Sequence, residues 1–318
     1  MPDKNNNPGT LLMKPVLVFV YNRPSHTREM LKALALNEGA DKTHVIIYSD
    51  GSKSETDKVW VAKVRQECKQ ASGFFRLTLI ERDRNYGLAE NIISGVSQEI
   101  EKYGAVIVLE DDLVTSPGFL KYMNAALEFY RNTNIFSICG YSPQLKIPSE
   151  YKYSTYLAQR IGSWGWASWE EKWKKVDWEV TDFYHFIGSP RERKRFEAGG
   201  NDLSMMLLKQ KLNKINSWAI RFSYSCFKLD YRVVYPVKSL VRNAGIDGSG
   251  THMKKTKKYK SIVTDKVESS YFCPPTLENV TIQKRFREFY STSLVRRALN
   301  ILKFNRFLIM KGFQMDTT

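Results

Sequence analysis

The stretch Ala105-Val-Ile-Val-Leu-Glu-Asp-Asp-Leu113 joins a continuous apolar run directly to three adjacent acids. An apolar run rich in branched residues is typical of a β-strand buried on both faces. The carboxylates of Glu110, Asp111 and Asp112 repel one another unless a cation or solvent balances their charge. The stretch therefore predicts a central strand that ends in a charged loop.

Further strands are predicted on both sides of this one, at 15–21, 44–49, 77–80 and 135–139. Helical spacing of apolar residues separates them, and Ser116-Pro117 predicts the N-cap and first position of the helix after the acids. Repeated β-α-β units of this kind predict an α/β fold with a mainly parallel sheet and helices on both faces. A later, separate strand is predicted over 232–241.

Polar side chains follow three of the predicted strands where each strand ends. Asn22-Arg23 follows the first, Ser49-Asp50 ends the second, and the acid triplet follows the strand at 105–109. Because ligands of parallel α/β sheets bind at the carboxyl ends of the strands, we expect these groups to converge on one site.

The acid triplet has two interpretations. Hard divalent cations prefer carboxylate oxygens and bridge them to phosphate oxygens, which predicts a metal and phosphate site. Acids are also common near the start of a helix, so a solvated loop before Ser116 is the alternative.

Five motifs in order carry a resemblance to a known family. They are Pro-Val-Leu-Val-Phe-Val-Tyr-Asn-Arg-Pro at 15–24, Ser49-Asp50, Asn-Tyr-Gly-Leu-Ala-Glu-Asn at 85–91, Val-Leu-Glu-Asp-Asp-Leu at 108–113 and Gly-Ser-Trp-Gly-Trp at 162–166. With these motifs the segment 15–173 resembles the GT-A glycosyltransferases, especially the bacterial relatives of N-acetylglucosaminyltransferase I. The resemblance implies a GT-A (Rossmann-like) fold and transfer of a hexosyl or N-acetylhexosaminyl group from a nucleotide-sugar donor, a UDP-sugar foremost. A saccharide or lipid-linked saccharide of surface polysaccharide or lipopolysaccharide synthesis is the expected acceptor.

The resemblance also implies roles for residues at the strand ends. Asp112 is expected to hold Mn²⁺, or Mg²⁺, on the donor diphosphate, while Glu110 and Asp111 bind the nucleotide-sugar, Asp111 near the ribose. Asp50 and Arg23 are expected to contact the base. A divalent cation there would stabilise the charge that gathers on the leaving diphosphate.

The motif from Asn85 to Asn91 has two interpretations, a tight turn beside the nucleotide or an ordinary turn and helix cap. His252, in a glycine-rich loop, is predicted either as a further metal ligand or as a solvated loop residue.

Tryptophans of the segment 151–178 divide into two predicted groups. Aromatic faces bind sugar rings, so Trp164 or Trp166, with Gly165 allowing close backbone approach, is predicted to form a partly exposed ligand wall. Trp169 and Trp173 are predicted to lie in the core.

The general base is harder to find. An inverting transferase, which the resemblance favours, needs a carboxylate near the acceptor hydroxyl. The family pattern of aspartates before a tryptophan meets Asn216-Ser217-Trp218 here, which holds no acid. The stretch Gly-Gly-Asn-Asp-Leu at 199–203 resembles the one that supplies the base in some other GT-A families, which implies Asp202 as the base. Asp247 and Glu170 are further candidates. Without a base, a retaining mechanism stays open.

The last part of the chain, 284–313, is helical, basic and hydrophobic in pattern. It predicts either a peripheral anchor on an anionic membrane or a helix packed on the domain with a basic outer face. The expected organisation is a flexible N-terminus at 1–14, a GT-A domain at 15–260 and a basic extension at 261–318.

Composition bounds the remaining possibilities. The 318 residues are 42% hydrophobic and 13% aromatic, which excludes a disordered chain, and 18 glycines are far too few for a collagen-like one. The net charge of +16 favours an anionic partner. Two alternatives are a nucleotidyltransferase, which would usually show a glycine-rich loop after the first strand, and a basic nucleic-acid-binding protein, for which no motif is recognised, so no nucleic acid partner is expected. No secretory signal is recognised, and four dispersed cysteines predict a reducing, cytoplasmic location, peripheral to the inner membrane face if the tail binds lipid.

Overall fold

A computed structural model describes residues 13–247, 258–265, 271–310 and 312. In this part of the chain an eight-stranded sheet carries helices on both faces, and a two-stranded sheet lies beside it. The strands are β1 (Val16–Val20), β2 (His44–Ser49), β3 (Arg76–Glu81), β4 (Ala105–Glu110), β5 (Leu113–Thr115), β6 (Ile135–Cys139), β7 (Thr155–Ala158), β8 (Trp166–Trp169), β9 (Arg232–Pro236) and β10 (Val241–Asn243). The predicted α/β fold class is confirmed.

Helices connect the strands and extend the fold at its C-terminal end. They are α1 (Pro24–Ala35), α2 (Glu55–Gln70), α3 (Leu88–Tyr103), α4 (Phe119–Phe129), α5 (Glu170–Trp173), α6 (Phe183–Gly188), α7 (Pro190–Phe196), α8 (Leu203–Lys211), α9 (Trp218–Lys228), α10 (Val280–Tyr290) and α11 (Leu294–Met310). Local chemistry sets several of their starts. The Ser54 side chain caps α2 by accepting from the Asp57 amide, and Pro24 opens α1.

The large sheet has the strand order β3-β2-β1-β4-β8-β6-β9-β7. The first four strands pair in parallel, and β6 pairs in parallel with β9. Strand β8 lies antiparallel between β4 and β6, and β7 runs antiparallel at the edge. Six of the eight strands therefore point the same way, which confirms the mainly parallel sheet.

Alternation along the strands divides the apolar side chains between two cores. Val16 and Val18 face a core shared with α1, α2 and α4, whereas Leu17 and Phe19 face a core shared with α3, α9 and α10. Both faces of β1 are thus buried, as its continuous apolar run predicts.

A third core holds together a helical layer outside the sheet. It contains aromatic and aliphatic side chains from α6 to α9 and from α11, including Phe183, Phe186, Phe196, Tyr224 and Phe304. Helix α10, by contrast, packs Ile282 and Phe286 on the sheet. The C-terminal helical extension therefore contacts both the sheet and the helical layer.

Local predictions failed at three places. Helix α4 begins at Phe119 with Gly118 as its N-cap, because the Phe119 amide bonds the Ser116 carbonyl and closes a turn first. The predicted strand at 232–241 is two strands, β9 and β10, which belong to different sheets. The predicted C-terminal helix is interrupted at 291–293, between α10 and α11.

All four cysteines are free and buried. Within the described residues, no helix has the length and apolar character needed to cross a bilayer.

Candidate active site

Strand register brings the three predicted polar clusters to one edge of the sheet. Val20 pairs with Ser49 across β1 and β2, and Phe19 pairs with Glu110 across β1 and β4. The residues that follow these strands are therefore neighbours, and the predicted convergence is confirmed.

Arg23 lies against the acid triplet. Its guanidinium donates to both oxygens of Asp111 and, over 2.9 Å, to Asp112 Oδ2. The side chains are 21%, 5% and 13% exposed respectively, so these charges interact largely out of water. Burial opposes the charged form of Arg23, but the two carboxylates raise its pKa above the ordinary value. Arg23 thus contacts the acids, and its predicted contact with a base stays a prediction.

The acid triplet carries more negative charge than one arginine balances. Burial, with the charges of Asp112 and Asp111, raises the pKa of Glu110 to about 8. Burial also raises the pKa of Asp111, although Arg23 acts in the opposite direction. Such shifts are typical of sites built to receive a further cation or proton.

The segment Asn243-Ala-Gly245 lies over Asp112. Strand β10 pairs with β5 so that Asn243 lies opposite Leu113, and the Ala244 amide donates to the Asp112 carbonyl over 2.8 Å. A Cβ atom on Gly245 would lie 2.3 Å from Asp112 Oδ2 and 3.1 Å from Asn243 Oδ1. Only glycine leaves this space beside the carboxylate free.

These oxygens fit a hard divalent cation. Asn243 Oδ1 is buried without a hydrogen-bond partner, and so is Arg23 Nη1 nearby. Carboxylate and amide oxygens are the ligands that Mg²⁺ and Mn²⁺ prefer. No group of three His, Cys, Asp or Glu side chains in the described ranges forms a ready metal site. The predicted ligand His252 lies outside the described residues.

Asp50 holds the loop that begins the Asn85 motif. Its Oδ1 accepts from the amides of Gly51 and Tyr86 over 2.9 and 2.8 Å, and its Oδ2 accepts from the Gly87 amide and the Asn85 side chain over 2.9 and 3.2 Å. Gly87, with φ of 72°, allows the backbone to turn into α3. The structure thus joins two predicted site residues, Asp50 and Asn85, in one loop anchor.

Asn91 lies one turn inside α3 and is buried. Its Oδ1 accepts from Arg82 Nε over 3.0 Å, and the Arg82 guanidinium lies 4.5 Å from the ring centre of Tyr86 and 4.9 Å from that of Tyr48. Asn91 therefore positions Arg82 against the aromatic ring of the same loop.

Asp57 was missed by the sequence analysis. From the first turn of α2 its carboxylate accepts from the Tyr21 hydroxyl over 2.9 Å and from the Asn22 amide group over 3.0 Å. These bonds, that of Asn22 first, lower the pKa of Asp57. The helix-capping pattern Ser54-x-x-Asp57 was a sequence signal for a helix start, but not for this contact with the β1 end.

The tryptophan motif is mostly core. Trp166 is fully buried and stacks between Trp173 and Trp218, so its prediction as a ligand wall was wrong. Trp169 and Trp173 are buried as predicted. Trp164 is half-buried and contacts the rings of two tyrosines, Tyr141 and Tyr259, at centroid distances of 4.6 and 5.5 Å.

Gly165 serves the backbone beside Trp164. Its φ is 65°, and a Cβ there would approach Val241 and Phe119 to 3.0 and 3.1 Å. It is therefore buried in packing that suits glycine, and its predicted role toward a ligand stays a prediction.

Asp202 pairs with Arg160, a residue that sequence reasoning did not select. The guanidinium donates to both carboxylate oxygens over 2.7 and 3.0 Å and lies 4.4 Å from the ring centre of Tyr290. Burial opposes the charge of Arg160, but Asp202 raises its pKa. Asp202 also acts electrostatically on Tyr259, which contacts Trp164.

The alternative bases lie in different places. The Glu170 amide bonds the carbonyl of Gly104, at the amino end of β4. Since β4 has six residues, Glu170 lies roughly 20 Å from the acid triplet, so this candidate was wrong. Asp247 ends a short helical turn, Ala244–Asp247, directly after Asn243.

Solved structures of transferases are similar to this chain at a low level. Mannosyltransferase PcManGT from Pyrobaculum calidifontis, solved with GDP-Man and Mn²⁺, is 17% identical over 51% of this chain and 46% of its own, with a TM-score of 0.36. TarS 1–349 from S. aureus is 13% identical over 74% of this chain and 62% of its own, with a TM-score of 0.41. The chain thus spans between about half and three fifths of these two proteins.

Among curated proteins, none matches the chain. The family comparison is positive: the family described as glycosyl transferase family 2 matches residues 16–194, which hold β1 to β8 and the acid triplet. The match covers more than half of the chain, and the chain therefore belongs to glycosyl transferase family 2.

Proposed function

We propose that this protein transfers a hexosyl or N-acetylhexosaminyl group from a nucleotide-sugar, a UDP-sugar foremost, to a saccharide or lipid-linked saccharide acceptor. Synthesis of surface polysaccharide or lipopolysaccharide is the process we propose for it. Family membership supports transfer of a sugar. The observation that carries the proposal is the group of buried carboxylate and amide oxygens around Asp112, at the sheet edge where ligands of parallel α/β folds bind.

Family membership also decides between the alternatives that composition left open. A nucleotidyltransferase or a nucleic-acid-binding protein would explain the fold class or the charge, but neither explains a match to a glycosyl transferase family. The finer resemblance, to relatives of N-acetylglucosaminyltransferase I, stays a prediction.

A divalent cation, Mn²⁺ or Mg²⁺, is part of this proposal. Asp112, Asp111 and Asn243 would hold it, and it would supply positive charge to the departing diphosphate. In its absence Arg23 balances Asp111 and Asp112. The space beside Gly245 keeps Asp112 accessible.

The loop anchored by Asp50 is our candidate for the nucleotide side of the site. Two guanidinium groups, those of Arg82 and Arg84, lie against its Tyr86 ring, at 4.5 and 4.3 Å from the ring centre. These cations lie beside the end of β2, near the edge where the acids collect, and they suit a negatively charged donor. Glu110 is proposed to act on the sugar side of the donor.

Asp202 is the proposed general base of an inverting reaction, and Trp164 the proposed acceptor wall. Arg160 would orient the carboxylate, because two parallel hydrogen bonds fix its plane. We expect Asp202→Asn to lower turnover by at least about a hundredfold while donor affinity is kept. The matched control is Asp182→Asn, another partly exposed aspartate with a cationic partner. Equal turnover in the Asp202 variant and the wild type would place the base elsewhere.

The experiment that tests the function measures UDP binding by calorimetry with and without Mn²⁺. Asp112→Asn should weaken the Mn²⁺-stimulated affinity for UDP by at least about tenfold while the melting temperature is kept. Asp41→Asn, an exposed acid far from the site, is the control. A folded Asp112 variant with unchanged Mn²⁺-dependent UDP affinity would contradict the metal assignment. A thermal-shift series with UDP-, GDP- and CMP-sugars then identifies which nucleotide the donor carries.

A further inference from the structure

Helix α11 (Leu294–Met310) has two apolar faces. One packs on the helical layer through Phe304 and Leu308, which are 8% and 6% exposed, with Phe307 partly buried beside them. The other face points to solvent. Within the described residues, α11 holds more large exposed apolar side chains than any other helix.

The outward face is a continuous stripe. Val295, Leu302 and Ile309 are spaced by seven residues, almost two helical turns, and are 73%, 65% and 62% exposed. At 100° per residue the stripe lies roughly 140° around the helix from the docked pair Phe304 and Leu308. Leu299 and Met310 widen it on one side and Leu294 on the other, whereas Ile301 is also exposed but lies next to the docked Leu308.

Cations accompany the stripe and acids are absent. Helix α11 holds Arg296, Arg297, Lys303 and Arg306 and no Asp or Glu, and all four cations are exposed. On the helical projection Arg306 lies within the widened stripe, between Val295 and Leu299, and Lys303 and Arg296 follow along its border beyond Met310. A helix that combines an apolar face with bordering cations is the kind that lies in the interface of an anionic bilayer.

We propose that this outward stripe of α11 docks the protein on a membrane surface rich in anionic lipid. The apolar side chains would enter the boundary between headgroups and acyl chains, while the cations contact the headgroups. Charge complementarity favours this occupant over a second copy of the chain, because pairing two such helices would bring two rows of cations together. It also favours lipid over nucleic acid, which would use the cations and leave the apolar stripe in water.

The helix lies close to the proposed acceptor side of the active site. Just before α11, the Thr292 amide and hydroxyl both donate to Asn201 Oδ1, over 2.8 and 3.1 Å, next to Asp202. Tyr290 lies against Arg160, which pairs with Asp202. Membrane docking would therefore hold Asp202 near a lipid-linked acceptor and raise the local concentration of that acceptor. This consequence rests on the proposed function, whereas docking itself does not.

The test is sedimentation of the full-length protein with vesicles of phosphatidylcholine, with and without phosphatidylglycerol, in a buffer without divalent cations. We expect binding only to the anionic vesicles, and its loss at about 1 M salt, where the Debye length falls to ~3 Å. The triple variant V295N/L302N/I309N should lower the partition coefficient at least tenfold. The variant R296Q/K303Q/R306Q should lower it about a hundredfold, since each cation contributes roughly fivefold.

Two matched control variants test whether the effect depends on the location of the side chains on α11 or only on the loss of apolar or charged groups anywhere on the surface. L36N/V59N/I262N removes exposed apolar side chains elsewhere, and K152Q/K209Q/K214Q removes the same charge elsewhere. Both should bind vesicles almost as the wild type does. Melting temperatures should be unchanged in all four variants because the substituted residues are exposed.

Three results would overturn the proposal. They are no sedimentation with anionic vesicles at low salt, an equal loss of binding in the control variants, or a lipid-independent dimer in analytical ultracentrifugation that V295N/L302N/I309N abolishes. Calorimetric UDP binding, measured on the same variants, should stay unchanged, so failure of docking is distinguishable from failure of the proposed function.

Discussion

Arg23 is an internal counter-ion for the acids at the end of β4. Its contacts with Asp111 and Asp112 place one positive charge against two carboxylates that are 5% and 13% exposed. A buried carboxylate pair is costly without a cation, so the folded protein without metal depends on Arg23. A divalent cation bound at the same oxygens would also neutralise these carboxylates, and it would then compete with Arg23.

We predict that Arg23→Gln makes stability depend on divalent metal. In EDTA the free energy of unfolding should fall by about 3 kcal/mol, because the carboxylates lose their partner. Saturating Mn²⁺ should restore much of this loss, since a ligand that binds only the folded state stabilises it. Urea denaturation with EDTA and with Mn²⁺ measures both.

Arg28→Gln is the control for this comparison. Arg28 also pairs with a carboxylate, that of Glu67, but its side chain is 54% exposed, so its removal should hardly change stability in either buffer. An Arg23 variant whose stability is the same in EDTA and in Mn²⁺ would show that the acids need no cation.

At the scale of elements, β8 and the loop before it carry two tryptophans, separated by one glycine, that have different environments. Trp166 enters the sheet between β4 and β6 and is fully buried, whereas Trp164 precedes β8 and stays half-buried beside Tyr141 and Tyr259. A two-residue step along an extended segment keeps side chains on one face, but Gly165, with φ of 65°, breaks that regularity.

We predict that alanine substitutions of the two tryptophans affect different properties, stability for one and acceptor binding for the other. Trp166→Ala should lower the free energy of unfolding by about 3–5 kcal/mol, because it leaves a cavity between Trp173 and Trp218. Trp164→Ala should keep most of the stability and raise the KM for acceptor. Chemical denaturation and steady-state kinetics measure the two effects, and a strongly destabilised Trp164 variant would place that ring in the core as well.

At the scale of the whole molecule, the four free cysteines are divided between the two cores that flank the sheet. Cys68 and Cys273 belong to one core, and Cys139 and Cys226 belong to the other. Burial raises the pKa of Cys68 and Cys139 to about 12 and raises that of the other two thiols. The reactive thiolate is therefore scarce in the folded state.

We predict that an aromatic disulfide reagent at pH 8 labels the thiols of the folded protein slowly, at a rate set by local or global unfolding. Four thiols per chain should react at once after denaturation, since none is in a disulfide. Leu36→Cys, at a position 75% exposed, is the positive control and should add one thiol that reacts immediately. Rapid labelling of native thiols would contradict the tightness of both cores.

The sequence by itself determined the α/β class and the place of the site, because both follow from local patterns. The apolar runs at β1, β2 and β4 are short and rich in branched residues, which favours buried strands, and residues that follow parallel strands share an edge of the sheet. The acid triplet, Asp50 and Arg23 were found in this way, whereas Asn85 was found through the motif that carries the family resemblance. The basic and apolar pattern of the C-terminal segment was equally visible.

Only the tertiary structure decided which side chains meet across long separations in the chain. Strand β8 enters antiparallel between β4 and β6, which buries Trp166, and the pairing of β10 with β5 brings Asn243 and Gly245 to Asp112. Tertiary packing likewise brings together Arg160 and Asp202, which are 42 residues apart in the chain. No local pattern specifies such contacts, because they depend on how the whole chain packs its apolar surface. Packing also decides which face of α11 contacts the helical layer, and the second apolar face of this helix is exposed to solvent.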